Sequence, residues 1–343
     1  MASIKEVAAR AGVSTASVSY VLNNSKPVSD DTRARVLAAV RDLNYSIDQR
    51  ARGLRRQQSG TLALVISDVG NPFFSRVIRS IEAVTYASKR TLFLCNSDED
   101  PERERFHLHA MQAQRIDGMI ILPVTASGQA LLPLIDHGVP VICLDRRVGD
   151  VDLDTVLVDN VAGAALAVAH LTALGHRRIA IIGGLPSTPG SERLAGYRQA
   201  LAAAGIPEDQ DLVRRGDYKE EGGYAEALAV LDLPDPPTAI FAINHPMVLG
   251  ALVALRERGV RVPDDVSVVG FDDTTWAALL DPPLTTIAQP TDMLGTMAAR
   301  LLFDRLDRQY AGPARELVLT PRLVERASTG VPPARRAPPN LAR

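Results

Sequence analysis

The chain has 343 residues, enough for two or three domains, and its 46% hydrophobic and 23% charged residues are the balance of an ordinary soluble globular protein. The net charge of −2 hides an asymmetry: residues 1–58 hold ten Lys+Arg against five Asp+Glu, which leaves 28 of the chain's 38 basic residues against 35 of its 40 acidic ones for the remainder. A basic head on an acidic body points to a head that meets phosphate. The first twenty residues lack the apolar run of a signal peptide and no stretch is long enough to cross a bilayer, so a cytoplasmic location with no membrane partner is expected.

The head reads as three short helices. Ser3 and Glu6 have the spacing of a capping box, and Ile4, Val7, Ala8 and Ala11 follow as one apolar stripe. Gly12 stops that helix and takes the positive φ a tight turn needs. Ser14 caps a second helix that turns Val18, Val21 and Leu22 toward the first and leaves Thr15, Ala16, Ser19 and Tyr20 outward. Ser29 caps a third, where Val36, Leu37, Val40 and Leu43 are expected to complete a small core. This is the pattern of a helix-turn-helix, which lays its second helix against base edges in a DNA major groove. An ordinary three-helix bundle is the alternative, but a solvated helix face normally carries Lys and Glu rather than small uncharged residues.

Residues 46–60 read as a polar, basic linker with one apolar residue, Leu54. From Thr61 short β-branched runs alternate with amphipathic helices. The runs are 62–66, 92–95, 119–122, 141–144, 156–158, 179–182, 239–243 and 266–271, and the helices between them include 75–88, 102–114, 162–174, 193–204, 221–231 and 246–258. Such alternation predicts parallel sheets covered by helices on both faces. The pattern restarts after about Asn160, which predicts two similar α/β lobes with a cleft between them. Residues 331–343 are Pro- and Arg-rich without apolar periodicity and are expected to be disordered.

Ligands of open α/β sheets sit at the carboxyl ends of strands, so the strand-to-helix loops are the place to search. No G-x-G-x-x-G fingerprint, P-loop, G-x-S-x-G elbow or H-E-x-x-H is present, and no nucleophile–base pair suggests an enzyme. Cys95 and Cys143 lie in apolar runs and read as buried thiols in a reducing compartment; His107 and His109 share no helix face, so no metal and no cofactor is expected. What the loops do hold is Asn71, Phe73 and Phe74 after the first run, Asn96 after the second, then Asp145, Arg146, Arg193, Tyr218, Asn244, Asp272 and Gln289. Aromatic faces against the C–H surface of a sugar, with amides, carboxylates and guanidiniums for its hydroxyls, are what a small polyol requires.

Together these residues resemble the LacI/GalR family of bacterial transcriptional regulators. The resemblance is carried by Ile4–Ala8 with Gly12-Val13-Ser14 and Val18-Ser19, Val28-Ser29 with Thr32-Arg33, Arg50–Leu54, Asn71–Phe74, Gly118, Arg193–Tyr197, Asn244, and Val262-Pro263 followed by Val266–Asp273. It implies a homodimeric repressor on pseudo-palindromic double-stranded operator DNA, with a helix-turn-helix domain over 1–45 and a hinge helix within 46–60. A two-lobed effector and dimerisation domain of periplasmic-binding-protein type would occupy 61–330. Lobe 1 would take about 61–159 plus 291–319, and lobe 2 about 160–290 plus 320–330. It also implies base reading by Thr15, Ala16 and Tyr20, backbone contacts by Ser14, Ser19, Asn23, Thr32, Arg50 and Arg52, and a minor-groove wedge at Leu54. The cleft set is similar to that of ribose-binding proteins, which favours a pentose such as ribose as effector over a hexose or a purine. The chain departs from the family at Tyr20, at Ile47-Asp48, and at His245, which is expected to cap its helix less well than an acid.

Overall fold

The computed structural model describes residues 2–23, 25–45, 59–184 and 187–333. The chain divides into two compact units, residues 1–59 and 60–343. The expected hinge, with Arg50, Arg52 and Leu54, and residues 334–343 of the expected tail lie outside the described residues.

The first unit holds α1 (Ile4–Ala11), α2 (Thr15–Asn23) and α3 (Asp30–Asp42). Ser3 and Glu6 form the capping box, and Gly12 ends α1 at φ 65°. The Ser14 hydroxyl accepts from Ser17 N at 3.1 Å, which caps α2, and Ser29 accepts from Thr32 N at the start of α3. Val7, Ala8, Ala11, Val18, Val21, Val36 and Ala39 make the core. Leu37 is not part of it and is 43% exposed. The inward stripe of α3 is Val36, Ala39, Val40 and Leu43, and Leu37 lies one residue, about 100° of rotation, outside it.

The second unit contains two six-stranded sheets. The first, in spatial order, is β11 (Glu316–Leu319), β5 (Asp154–Val158), β4 (Val141–Leu144), β3 (Gly118–Ile121), β1 (Thr61–Ile66) and β2 (Thr91–Asn96). The second is β12 (Arg322–Val324), β10 (Thr285–Ala288), β9 (Ser267–Phe271), β8 (Ala239–Ala242), β6 (Ile179–Gly183) and β7 (Val213–Arg215). Every pairing is parallel except β10 with β12. The chain passes between the sheets after β5, after β10 and after β11. Strands β7, β11 and β12 went unread in the sequence because each is three or four residues long and only partly buried, so none shows an apolar run.

Strands covered on both faces read as continuous apolar runs. In β1, Leu62, Leu64 and Ile66 point into one core and Ala63 and Val65 into another, as the two-residue period dictates. The first of these cores is closed by α4 (Pro72–Ala87) packed on α11 (Thr291–Leu306), the second by α5 (Pro101–Ala113) and the short α6 (Leu132–Asp136). Around the second sheet, α7 (Asn160–Ala173) packs on α8 (Thr188–Ala203), and α9 (Glu220–Leu231) on α10 (His245–Glu257). Gly196 sets the α7–α8 distance, because a Cβ there would lie 2.2 Å from the Val161 carbonyl oxygen. Cys95 and Cys143 are free and buried, and burial pushes the Cys143 thiol up to about 12.

Candidate functional site

The strand ends converge on one small cavity of about 40 Å³, lined by residues from both lobes. Asn71, Phe73, Phe74, Asp145 and Arg146 come from the first lobe, and Arg193, Tyr218, Asn244, Asp272 and Gln289 from the second. A recess of about 210 Å³ shares Phe73, Asp272 and Gln289 with it. Ten of the eleven effector residues expected from the sequence are therefore together.

The exception is Asn96. Its Oδ1 accepts from Val69 N at 3.0 Å and its carbonyl bonds the His107 ring, so it ties β2 to the loop after β1 instead of lining the cavity. Three cavity residues were missed: Asp68, Glu99 and Pro189. The signal for Glu99 was present, since Asp100 alone caps α5 and leaves Glu99 as an acid with no local task at a strand end.

Each side chain is held by the element it begins. Asn71 caps α4 through Oδ1 to Phe73 N, and Phe73 and Phe74 meet edge to face at 4.9 Å, both buried. Arg193, on the α8 face that Gly196 brings against α7, donates from Nε to Asn160 Oδ1 at 2.9 Å and from Nη1 to the Ile243 carbonyl, with its guanidinium 3.6 Å from the Phe271 ring centre. Tyr218 hydrogen-bonds Ser187 through its hydroxyl, and its ring fills the space where a side chain on Gly184 would stand. Asn244 caps α10 through Met247 N and donates from Nδ2 to the Tyr218 carbonyl. The helix cap is thus Asn244, not His245, whose buried ring instead accepts from the Trp276 indole N–H. Pro246 stands in the first turn, where it lacks no hydrogen bond.

Several buried polar atoms of the lining residues have no hydrogen-bond partner among the described residues: Asp145 Oδ1, Arg146 Nε and Gln289 Oε1, with Thr274 Oγ1 in the adjoining recess. Unsatisfied buried groups in a native fold require an explanation, and a hydroxyl-rich ligand supplies one. Backbone strain concentrates at the same place. Among the described residues nine non-glycine residues have positive φ, and Glu99, Asp145, Tyr218 and Asp272, four of the nine, line the cavity. Such conformations cluster at ligand clamps, where surrounding structure enforces them.

The electrostatics are those of a buried charge cluster. Arg146 is clamped by Glu99 through two hydrogen bonds of 2.7 and 2.6 Å. Burial alone would lower the Arg146 pKa, but the Glu99 bonds and the nearby acids outweigh it and the net shift is upward. Burial drives Asp145 up to about 6; Arg193 and Arg146 oppose the rise, and Asp272 and Glu99 add to it. The Asp272 carboxylate accepts from Gln289 Nε2. Lys219 of the second lobe bonds Asp68 and Asp98 of the first at 3.1 and 2.9 Å, and Arg147 reaches Glu192 at 3.3 Å, so ion pairs bridge the lobes at the cavity mouth.

In the head, Ser14, Thr15 and Ala16 are exposed at the start of α2, and Ser19 and Tyr20 are half-buried on it. The Lys26 ammonium lies 5.1 Å from the Tyr20 ring centre. Thr32 is half-buried, and its hydroxyl accepts from Ser29 at 2.9 Å. Asn23 ends α2, and its side chain lies outside the described residues.

The model for bacterial regulatory proteins of the lacI family matches residues 3–48, and that for a periplasmic binding protein-like domain matches residues 168–329. The HTH-type transcriptional repressor PurR of Photorhabdus laumondii is 38% identical over 331 residues, 96% of this chain and 97% of that protein. The chain belongs to the LacI family. The Ribose operon repressor of Escherichia coli K12 is 37% identical over 333 residues, 96% of this chain and 100% of the relative. Among solved structures, the lac repressor dimer bound to operator and the anti-inducer ONPF matches with a TM-score of 0.84 at 31% identity, covering 96% of this chain and 99% of that one. As a LacI-family protein the chain is a DNA-binding transcriptional regulator, with a helix-turn-helix head and an effector-binding body. Among the described residues no helix is long and apolar enough to cross a membrane, and no cluster of His, Cys, Asp and Glu has the geometry of a metal site.

Proposed function

We propose that the protein is a homodimeric repressor whose operator affinity is switched by a small uncharged sugar, a pentose such as ribose, bound between the two lobes. The observation that carries this reading is the cavity itself. Phe73, Phe74 and Tyr218 supply ring faces, and Asn71, Asp145, Arg146, Arg193, Asn244, Asp272 and Gln289 surround them with donors and acceptors, some still unpaired. A purine is the second reading, because Tyr218 and Phe73 would also stack a planar base and Asp272 would accept from its ring N–H.

Thr15, Ala16 and Tyr20 are assigned to base edges. Ser14, Ser19, Asn23, Thr32, Arg50 and Arg52 are assigned to the phosphodiester backbone, and Leu54 to a minor-groove step. An apolar edge supports dimerisation. β2 is the outer strand of its sheet with Phe93 and Leu94 exposed, and the helices packed on it carry exposed Tyr86 and Phe106. Uncovered apolar edges of this kind invite a second chain. Ligand control follows if the sugar binds one lobe arrangement better than the other, since an effector shifts an equilibrium only by its differential affinity. No enzymatic step is part of this reading, and the protein is placed with DNA in the cytoplasm.

A thermal-shift screen of the full chain against pentoses, hexoses and purine bases, repeated with operator DNA, tests the assignment. Ribose is expected to raise the melting temperature most. A larger response to a purine base selects the second reading, and a flat response to both classes contradicts the cavity assignment.

A further inference from the structure

We propose that Glu99 makes the cavity selective for uncharged ligands, by neutralising Arg146 and occupying the end-on fork of its guanidinium, where a phosphate or carboxylate would otherwise bind. This rests on the cavity being the effector site. Cavities that bind anions leave a guanidinium fork free for bidentate recognition. Here the end-on edge of Arg146, one N–H from each Nη, is taken by the two Glu99 oxygens, and the pair is almost fully buried; the Nε–H that remains belongs to a guanidinium whose charge Glu99 already neutralises. The second guanidinium, Arg193, has Nε on Asn160, Nη1 on the Ile243 carbonyl and its face on Phe271. Against these two cations the lining carries four carboxylates, Asp68, Glu99, Asp145 and Asp272, of which Asp68 is paired with Lys219. An anionic ligand would enter a site with surplus negative charge in which the end-on fork of Arg146 is already taken.

The chain is bent to put Glu99 there. Asp98 and Glu99 are successive left-handed residues, at φ 54° and 58°. The turn is fixed by the Glu99 N–H on the Ser67 carbonyl at 2.9 Å and the Asp100 N–H on the Ser97 carbonyl at 3.0 Å. It aims the two neighbouring acids at different cations, Asp98 at Lys219 and Glu99 at Arg146. Strain at two adjacent non-glycine residues persists where the surroundings over-determine it, and here it delivers one particular carboxylate into the cavity.

The test uses the full-length protein and calorimetric titration with matched pairs: ribose and ribose 5-phosphate, hypoxanthine and its ribonucleoside 5′-phosphate, and inorganic phosphate alone. In the unaltered protein the uncharged member of the responding pair should bind at least 100-fold tighter, with no response to 10 mM phosphate. Glu99→Gln should gain at least tenfold in affinity for phosphate and for the phosphate ester relative to its uncharged partner, and adding Arg146→Gln should remove that gain. Glu99→Asp, which keeps the charge, should stay anion-excluding. Glu99→Gly is the second variant, since the positive φ suits glycine if the glutamine variant fails to fold. Variants that fold but gain nothing for anions overturn the proposal, as do an unaltered protein preferring the ester and a failure of both variants to fold. If no uncharged sugar or base binds the unaltered protein, the effector reading fails, while the phosphate response of the variants still decides the role of Glu99.

Discussion

The second helix of the head carries no charged side chain and shows its small residues Thr15 and Ala16 to solvent, whereas the cavity in the body is lined by four carboxylates and two guanidiniums. The helix is built from contacts within fifty residues: two serine caps, one glycine stop and an apolar stripe. The cavity is assembled from loops spread between residues 68 and 289 and is held in left-handed backbone and unpaired polar atoms. A surface that reads a sequence is free to vary without disturbing its scaffold. A site that must favour a ligand stores cost in the ligand-free state, and its changes should therefore appear in both stability and binding.

That contrast predicts a graded set of outcomes. The largest belongs to Arg193. Arg193→Ala removes two hydrogen bonds and a cation–π contact at the cavity floor and should cost effector affinity at least 100-fold by titration calorimetry, with operator affinity within about threefold. Parallel loss of operator binding in a folded variant would blur the comparison. Next, Leu54→Ala should weaken specific operator binding by about tenfold and random-duplex binding far less, because only a bent specific complex gains from a wedge; equal losses in a competition assay would remove the wedge.

The third prediction is a pH dependence. Asp145 titrates at about 6 in the ligand-free protein, above the ordinary carboxylate value of 3.8. A hydroxyl-donating ligand needs the ionised form, so effector affinity should be flat above pH 7 and fall up to about tenfold per pH unit below pH 6. The smallest effect concerns stability. Because the folded protein holds this proton more tightly than the unfolded chain, the Asp145 contribution is fullest below pH 4 and is lost as pH rises through 6. Asp145→Asn should therefore stabilise the ligand-free protein at pH 7, while removing effector affinity. A denaturation series showing destabilisation would mean that the ionised carboxylate is held by favourable contacts.

The sequence was most legible where the physics is local. The capping box at Ser3 and Glu6, the Gly12 stop, and the fully buried strands announce themselves through residue type and spacing. It misled where a residue type fits two roles. Leu37 is apolar but falls one position outside the helix stripe, and Asn96 stands at a strand end but bonds backbone. It offered Glu99 only as an unassigned acid at a strand end, because its task depends on Arg146 forty-seven residues later and on two successive left-handed residues, Asp98 and Glu99. Asp68 and Pro189 were missed as well; the other ten cavity residues were found through strand-end position and family resemblance, while their hydrogen-bond partners, Asn160 and Ser187 among them, emerged only from the packed structure.

The central claim is that occupancy of the cavity changes operator affinity while the head binds DNA through separate residues. It is tested most directly by fluorescence-anisotropy titration of operator duplex with the full-length protein and with Asp272→Ala, each with and without saturating ribose or whichever screened ligand binds the unaltered protein. At least a tenfold change in operator Kd with ligand is expected for the unaltered protein. For the variant no change is expected, with a ligand-free Kd within about threefold of the original. An operator Kd that ligand leaves untouched in the unaltered protein, despite binding in the cavity, would contradict the claim.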